Sequence, residues 1–146
     1  MSQDQQRSPI DNLRAQVSRM LEGLDQEQPI AAIVLFKVNK AKEETFIRNN
    51  EALAEATRRL PGVNVYAYHG RRPVEGQPQR VDPEYLIYED WQTVRQFRRQ
   101  WESDHLKKFQ YSVGELIVGP PDLRWYYGWS DTRADEYVSE TEPTEY

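Results

Sequence analysis

Hydrophobic positions along this chain change period several times, and each change marks a predicted element. Residues 1–8 are polar and read as disordered. Ser8 then offers an N-cap and Pro9 a first helical position, and Leu13, Val17, Met20 and Leu24 recur at helical spacing. This predicts a short amphipathic helix ending near residues 23–25, whose stripe needs either the domain's own flank or a second subunit. The run Ile30 to Val38 is nearly all apolar and ends at Asn39, as a buried strand feeding a capped helix does. Within residues 40–60, Phe46, Leu53 and Leu60 fall seven apart with Asn50, Ala54 and Thr57 on the same side, and Pro61-Gly62 stops that helix. From Val63 to His69 the period becomes two: Val63, Val65 and Ala67 share one face, Asn64, Tyr66 and Tyr68 the other. Residues 70–83, rich in Gly, Pro, Arg and Gln, read as a long hairpin loop.

The stretch Tyr85 to Phe109 concentrates the chemistry. Tyr85, Leu86, Ile87 and Tyr88 have the β-branched and aromatic bias of a strand, which Glu89, Asp90 and Trp91 carry to an edge. Thr93 with Gln96 reads as a capping box, in which the hydroxyl and the amide each satisfy a helix-start N–H. Val94, Phe97 and Trp101 give that helix one apolar face, and Ser103 caps a second helix bearing Leu106, Phe109 and Val113. Pro120-Pro121 introduces a last strand, Leu123 to Trp129. The order is βαββαβ with a leading helix, the ferredoxin-like α+β plan of an antiparallel four-stranded sheet with both main helices on one face. The other face is left bare, so the architecture predicts a homodimer packed sheet against sheet, a dimeric α+β barrel. The chain divides into an N-terminal extension with the amphipathic helix (1–28), the ferredoxin-like domain (29–130) and an acidic tail (131–146).

Composition narrows the function classes. No apolar run is long enough for a membrane span or a signal-peptide core, which predicts a soluble, cytoplasmic protein without a membrane partner. The chain has no cysteine and two histidines, His69 and His105, so thiolate nucleophiles, Cys-ligated clusters and His-rich metal sites are not expected, and no cofactor or metal is predicted. Net charge is -5, yet residues 131–146 hold six acids and one arginine, which leaves the rest of the chain neutral. Basic residues such as Arg58, Arg59, Arg98 and Arg99 are interleaved with acids, and nucleic-acid binding is not expected. A mean hydropathy of -0.91 is low for a globular domain, as polar tails and a surface buried against a partner would both make it. The tail is either a solubilising end or an arm reaching the partner subunit. Aromatic residues, 12% of the chain, concentrate after residue 66, where a flat ligand could be enclosed.

The strand AAIVLFKV, the helix EETFIRNNEALAEATRRLPG, and YLIYEDW followed by SDHLKKF together resemble the antibiotic biosynthesis monooxygenase domain of the dimeric α+β barrel superfamily, over about residues 29–130. Glu89, Trp91, Pro61, Gly62, His105 and Phe109 carry the match. Many relatives have two histidines in this region, and this chain has Gln100 at the first position and His105 at the second. The resemblance implies cofactor-free oxygenation of a phenol or hydroquinone with O2, in which a phenolate reduces dioxygen itself and the protein deprotonates, positions and dries the reactants. His105 is then the candidate general base, since its unperturbed pKa suits neutrality. Trp91 could stack on an aromatic substrate, Tyr66 and Tyr68 beside Asn64 could donate to a developing oxyanion, Gln100 could bond a substrate oxygen, and Glu89 could orient His105 or an arginine. Glu89 is not expected to be the base, because an unperturbed carboxylate accepts a phenol's proton poorly. His69 is expected to be exposed. Two other functions remain open: a non-catalytic dimeric barrel that binds a small aromatic molecule, and a haem-degrading monooxygenase using Trp91 and His105.

Overall fold

The computed structural model describes residues 8–72, 75–76 and 82–128. Helix α1 (Pro9–Glu22) begins where the sequence places it, with Ser8 extended and its hydroxyl accepting the Asp11 amide. Strand β1 (Ile30–Lys37) follows. Asn39 caps a single 3-10 turn, Lys40–Lys42, rather than the helix itself, and α2 (Glu43–Arg58) starts directly after it with Glu43 and Glu44 complementing its dipole. Beyond α2 the chain reverses at Gly62, where φ is 92°. A Cβ there would stand 2.1 Å from the Gln96 side chain, so the position needs glycine for both backbone and space.

The remaining elements are β2 (Val63–Gly70), β3 (Glu84–Trp91), α3 (Val94–Trp101), α4 (Asp104–Val113) and β4 (Asp122–Tyr127). The sheet order is β2-β3-β1-β4, and every neighbouring pair is antiparallel. With α2 joining β1 to β2 and α3–α4 joining β3 to β4, this is the ferredoxin-like α+β fold that the element order predicts. The acidic tail and Trp129 lie outside the described residues.

Two local expectations change. The capping box of α3 forms by half. Thr93 Oγ1 accepts the Gln96 amide, but the Gln96 side chain accepts the Thr93 hydroxyl and packs on Gly62 instead of turning back to the Thr93 N–H. In β2 a bulge between Val63 and Val65 interrupts the simple alternation. Val63 pairs with Trp91 and packs on the core, whereas Val65 pairs with Asp90 and is 41% exposed. The extra residue brings Tyr66 opposite Glu89 and Tyr68 opposite Ile87, and leaves Asn64 exposed, bonded through Nδ2 to Asp90 Oδ1 at 2.9 Å.

The core lies between the sheet and its helices and is built on two aromatic groups. Phe36, Phe46 and Phe109 meet edge to face or tilted near one end, with centroids 5.5–6.3 Å apart. Phe97 is the hub at the other end, within 5.5–6.2 Å of Trp91, Trp101 and Trp125. α1 packs on the flank of its own domain. Its Arg14 guanidinium lies 4.6 Å from the centre of the Trp101 ring, donates to the Trp101 carbonyl at 2.8 Å and bonds Gln110, while Trp101 Nε1 donates to Ser18 at 2.9 Å. The opposite sheet face carries Ile33, Leu35, Leu86 and Tyr88, all half-buried.

Candidate active site

Between the sheet and the helices is a cavity of about 70 Å³. Phe97, Trp101, Phe109 and Trp125 supply its aromatic walls, and Ile10 and Leu13 of α1 close one side. Its polar lining is brief: Glu89 of β3, Tyr66 of β2 and Gln110 of α4. Gln110 accepts through Oε1 from Arg14. Glu89 and Tyr66 are register partners on adjacent strands, which is why two polar side chains so far apart in sequence meet here.

The Glu89 carboxyl is buried, with Oε1 accepting the Trp91 indole N–H at 2.8 Å. Loss of hydration pushes its pKa up to about 7, against a smaller opposing effect of the Trp91 bond. Among the described residues no cation pairs with it. The Tyr66 hydroxyl is buried and bonds to nothing among the described residues, while Arg58 of α2 donates to the Tyr66 carbonyl at 2.9 and 3.1 Å. Burial, and then the nearby Glu89, push the Tyr66 phenol well above its ordinary pKa, so it is a hydrogen-bond donor over the whole working range. Buried polar groups ordinarily find partners, and an unpartnered hydroxyl beside a cavity is positioned to meet a ligand. Asn50 of α2 is buried without side-chain partners as well, but it lines neither this cavity nor the cleft described next.

Gln100 and His105 form a separate cluster. Gln100 is fully buried, its Nε2 donates to Thr57 Oγ1 at 2.8 Å, and its Oε1 faces His105 Nε2 at 2.6 Å. With the amide nitrogen spent on Thr57, Oε1 is the acceptor and His105 Nε2 carries the hydrogen. Burial lowers the His105 pKa, partly offset by Asp104. His105 lines an open cleft with Asn49, Lys108 and Ser112, and Leu53 and Phe109, which line both spaces, separate that cleft from the Glu89 cavity.

Of the residues singled out from the sequence, Glu89 and Tyr66 therefore share the cavity. Trp91 is sealed behind Glu89 with no exposure and acts on it through the indole N–H. Tyr68 is on the same sheet side as Tyr66 but leans on Glu51 of α2, and Asn64 faces solvent at the bulge. His69 is exposed. Among the described residues Glu89 bonds neither His105 nor an arginine. Haem held between Trp91 and His105 does not fit, since the two do not face a common space. Trp101, Trp125, Ile10 and Leu13 were not singled out as site residues; the aromatic density after residue 66 was the signal available for the tryptophans, and nothing local marks the α1 pair.

The profile of the antibiotic biosynthesis monooxygenase family matches residues 29–111. Among curated proteins none matches the chain. Among solved structures, a candidate antibiotic biosynthesis monooxygenase from Caulobacter crescentus is 21% identical with a TM-score of 0.62, covering 75% of this chain and 97% of that one. A second, from Nitrosomonas europaea, is 18% identical with a TM-score of 0.57, covering 74% and 96%. A Mycobacterium tuberculosis protein is 18% identical with a TM-score of 0.59, covering 70% and 97%. At such identities the structures speak for the fold, and the family profile, spanning more than half of the sequence, speaks for descent: this chain belongs to the antibiotic biosynthesis monooxygenase family.

Proposed function

We propose that the protein is a cofactor-independent monooxygenase that oxidises a phenolic or hydroquinone-type aromatic substrate with O2. The observation that carries this reading is the aromatic-walled cavity that Glu89 and Tyr66 line side by side, the Tyr66 hydroxyl having no partner among the described residues. For a phenol with a ring C–H to oxidise, the balance is phenol plus O2 to quinone plus water. One oxygen atom becomes the new carbonyl and the other leaves as water, so the four electrons lost by the ring are the four taken by dioxygen. The protein's share is to take the hydroxyl proton, hold the ring flat and exclude water while the peroxy adduct forms and collapses.

The cavity is about 70 Å³. A cavity of about 150 Å³ holds benzene, so a ring enters only as side chains withdraw. Ile10 and Leu13, half-buried on α1 and outside the sheet, are the side chains this reading moves. His105, in this reading, acts from behind the Leu53–Phe109 wall by holding Gln100 in place and does not meet the substrate. The reading includes a homodimer in which a second copy covers Ile33, Leu35, Leu86 and Tyr88.

Oxygen uptake by the purified protein over a panel of hydroquinones and phenols tests it. Steady uptake above the no-enzyme rate, with quinone formed one for one with oxygen consumed, is the expected result. If no member of the panel is turned over while one or more bind, the protein is a binding barrel and the oxygenase reading fails. Sedimentation of Leu35→Glu against the wild type tests the dimer, which the substitution is expected to split.

A further inference from the structure

We propose that Glu89 is the catalytic proton acceptor for the substrate hydroxyl and that Tyr66 donates a hydrogen bond to the oxygen so ionised. The inference rests on the oxygenase reading and deepens it by naming the base. Three observations lead to it. Glu89 Oε1 is held by Trp91, while Oε2 has no donor among the described residues and belongs to a side chain lining the cavity. The register of β2 and β3 sets Tyr66 beside Glu89, with a hydroxyl that bonds nothing among the described residues. The lining from the other elements holds no competing titratable group: β1 gives Ala32, Val34 and Phe36, β4 gives Leu123 and Trp125, and α3 gives Phe97 and Trp101. Arg58 of α2 is committed to the Tyr66 carbonyl, Arg14 of α1 to Trp101 and Gln110, and His105 of α4 to Gln100 across the wall.

The proton steps balance. The substrate O–H breaks, its proton goes to Glu89 Oε2, and the electron pair stays on the phenolate oxygen, stabilised by the Tyr66 O–H. After the ring carbon bonds to dioxygen, the protonated Glu89 returns that proton to the terminal peroxide oxygen. Glu89 then takes the proton of the oxidised C–H as the O–O bond breaks and the carbonyl forms, and gives it to the departing hydroxide as water. Glu89 ends as it began. Burial, with no countercharge among the described residues, is what makes a carboxylate capable of this near neutrality.

The test is the pH profile of kcat/KM, by oxygen uptake on a hydroquinone that the wild type turns over. Wild type is expected to rise through an inflection near 7 to a plateau. Glu89→Gln, nearly isosteric, is expected to lose about 100-fold or more and the inflection with it. Tyr66→Phe is expected to lose about 100- to 1,000-fold and keep the inflection. Trp91→Phe removes the one donor among the described residues that favours ionised Glu89, so the inflection should move to higher pH, and this variant carries the test if Glu89→Gln does not fold. An inflection that survives Glu89→Gln, one that is unmoved by Trp91→Phe, or one that vanishes in His105→Ala but not in Glu89→Gln overturns the assignment and leaves the oxygenase standing. No turnover by the wild type removes the oxygenase reading and this inference with it.

Discussion

Glu89 and His105 stand sixteen positions apart in one continuous segment, yet the fold gives them opposite surroundings. Glu89, at the end of β3, is buried with a single neutral donor, and its pKa rises to about 7. His105, at the start of α4, borders an open cleft, gives its Nε2 hydrogen to Gln100, and has its pKa lowered. By residue type alone the histidine is the group that titrates near neutrality. Desolvation reverses this, because it penalises whichever form is charged: it lifts an acid towards neutrality and drives a base away from it. The lesson is that the chemistry of this segment follows from which side of the Leu53–Phe109 wall a residue reaches.

Breaking the wall gives the largest expected effect. Phe109→Ala should join the two spaces and remove ring contacts to Phe36 and Phe46, at a cost of about 3–5 kcal/mol. Denaturant unfolding measures it, and a cost under about 1 kcal/mol would mean that Phe109 is not the barrier described.

The next effect lies in the pH dependence of stability. Between 4.5 and about 7 the unfolded Glu89 gives up its proton while the folded one keeps it, so folding loses stability as pH rises across that window, then levels off. Full development of that shift is about 3 kcal/mol. Glu89→Gln should therefore gain on the wild type progressively from pH 4.5 to 7. His105 works with the reverse slope: below its unfolded pKa the unfolded chain binds a proton that the folded chain resists, so its part of the stability is lost as pH falls. Thermal melts of wild type, Glu89→Gln and His105→Ala across pH 4–8 check both signs, and parallel curves would contradict them.

A smaller effect separates structure from chemistry in the second cluster. Gln100→Ala empties a buried site and strands Thr57, for about 2–4 kcal/mol. His105→Ala leaves only Gln100 Oε1 unpartnered, for about 1–2 kcal/mol. Unfolding free energies in that order fit a supporting role for His105; equal losses would show the imidazole to be the main support. The smallest concerns the closing helix. Arg14→Ala should cost about 1–2 kcal/mol. It should raise hydrogen exchange in α1 while leaving β1 and β3 protected, and uniform loss of protection would show that α1 is integral to the core.

The helices and strands were legible in the sequence because their signals are local: period 3.6 in α1 and α2, Ser8, Thr93 and Ser103 as caps, and Gly62 as a stop. The order of elements then left the ferredoxin-like arrangement as the simplest way to bury every apolar stripe. The β2 bulge had no such signal, since Val63-Asn64-Val65 reads as plain alternation until pairing with β3 inserts the extra residue. That single insertion sets Tyr66 opposite Glu89. The seat of α1 was also hidden: its stripe predicts a partner surface, but only packing selects Trp101 and the cavity edge.

What the sequence determined by itself, then, is the set of elements, their order and the family, all written in spacing and residue type along the chain. What only the tertiary structure decided is which polar groups share a cavity and which form of each is favoured there. Register, burial and the absence of a countercharge are sums over residues distant in sequence. For that reason Glu89, a poor base by its unperturbed pKa, becomes the group that titrates near neutrality.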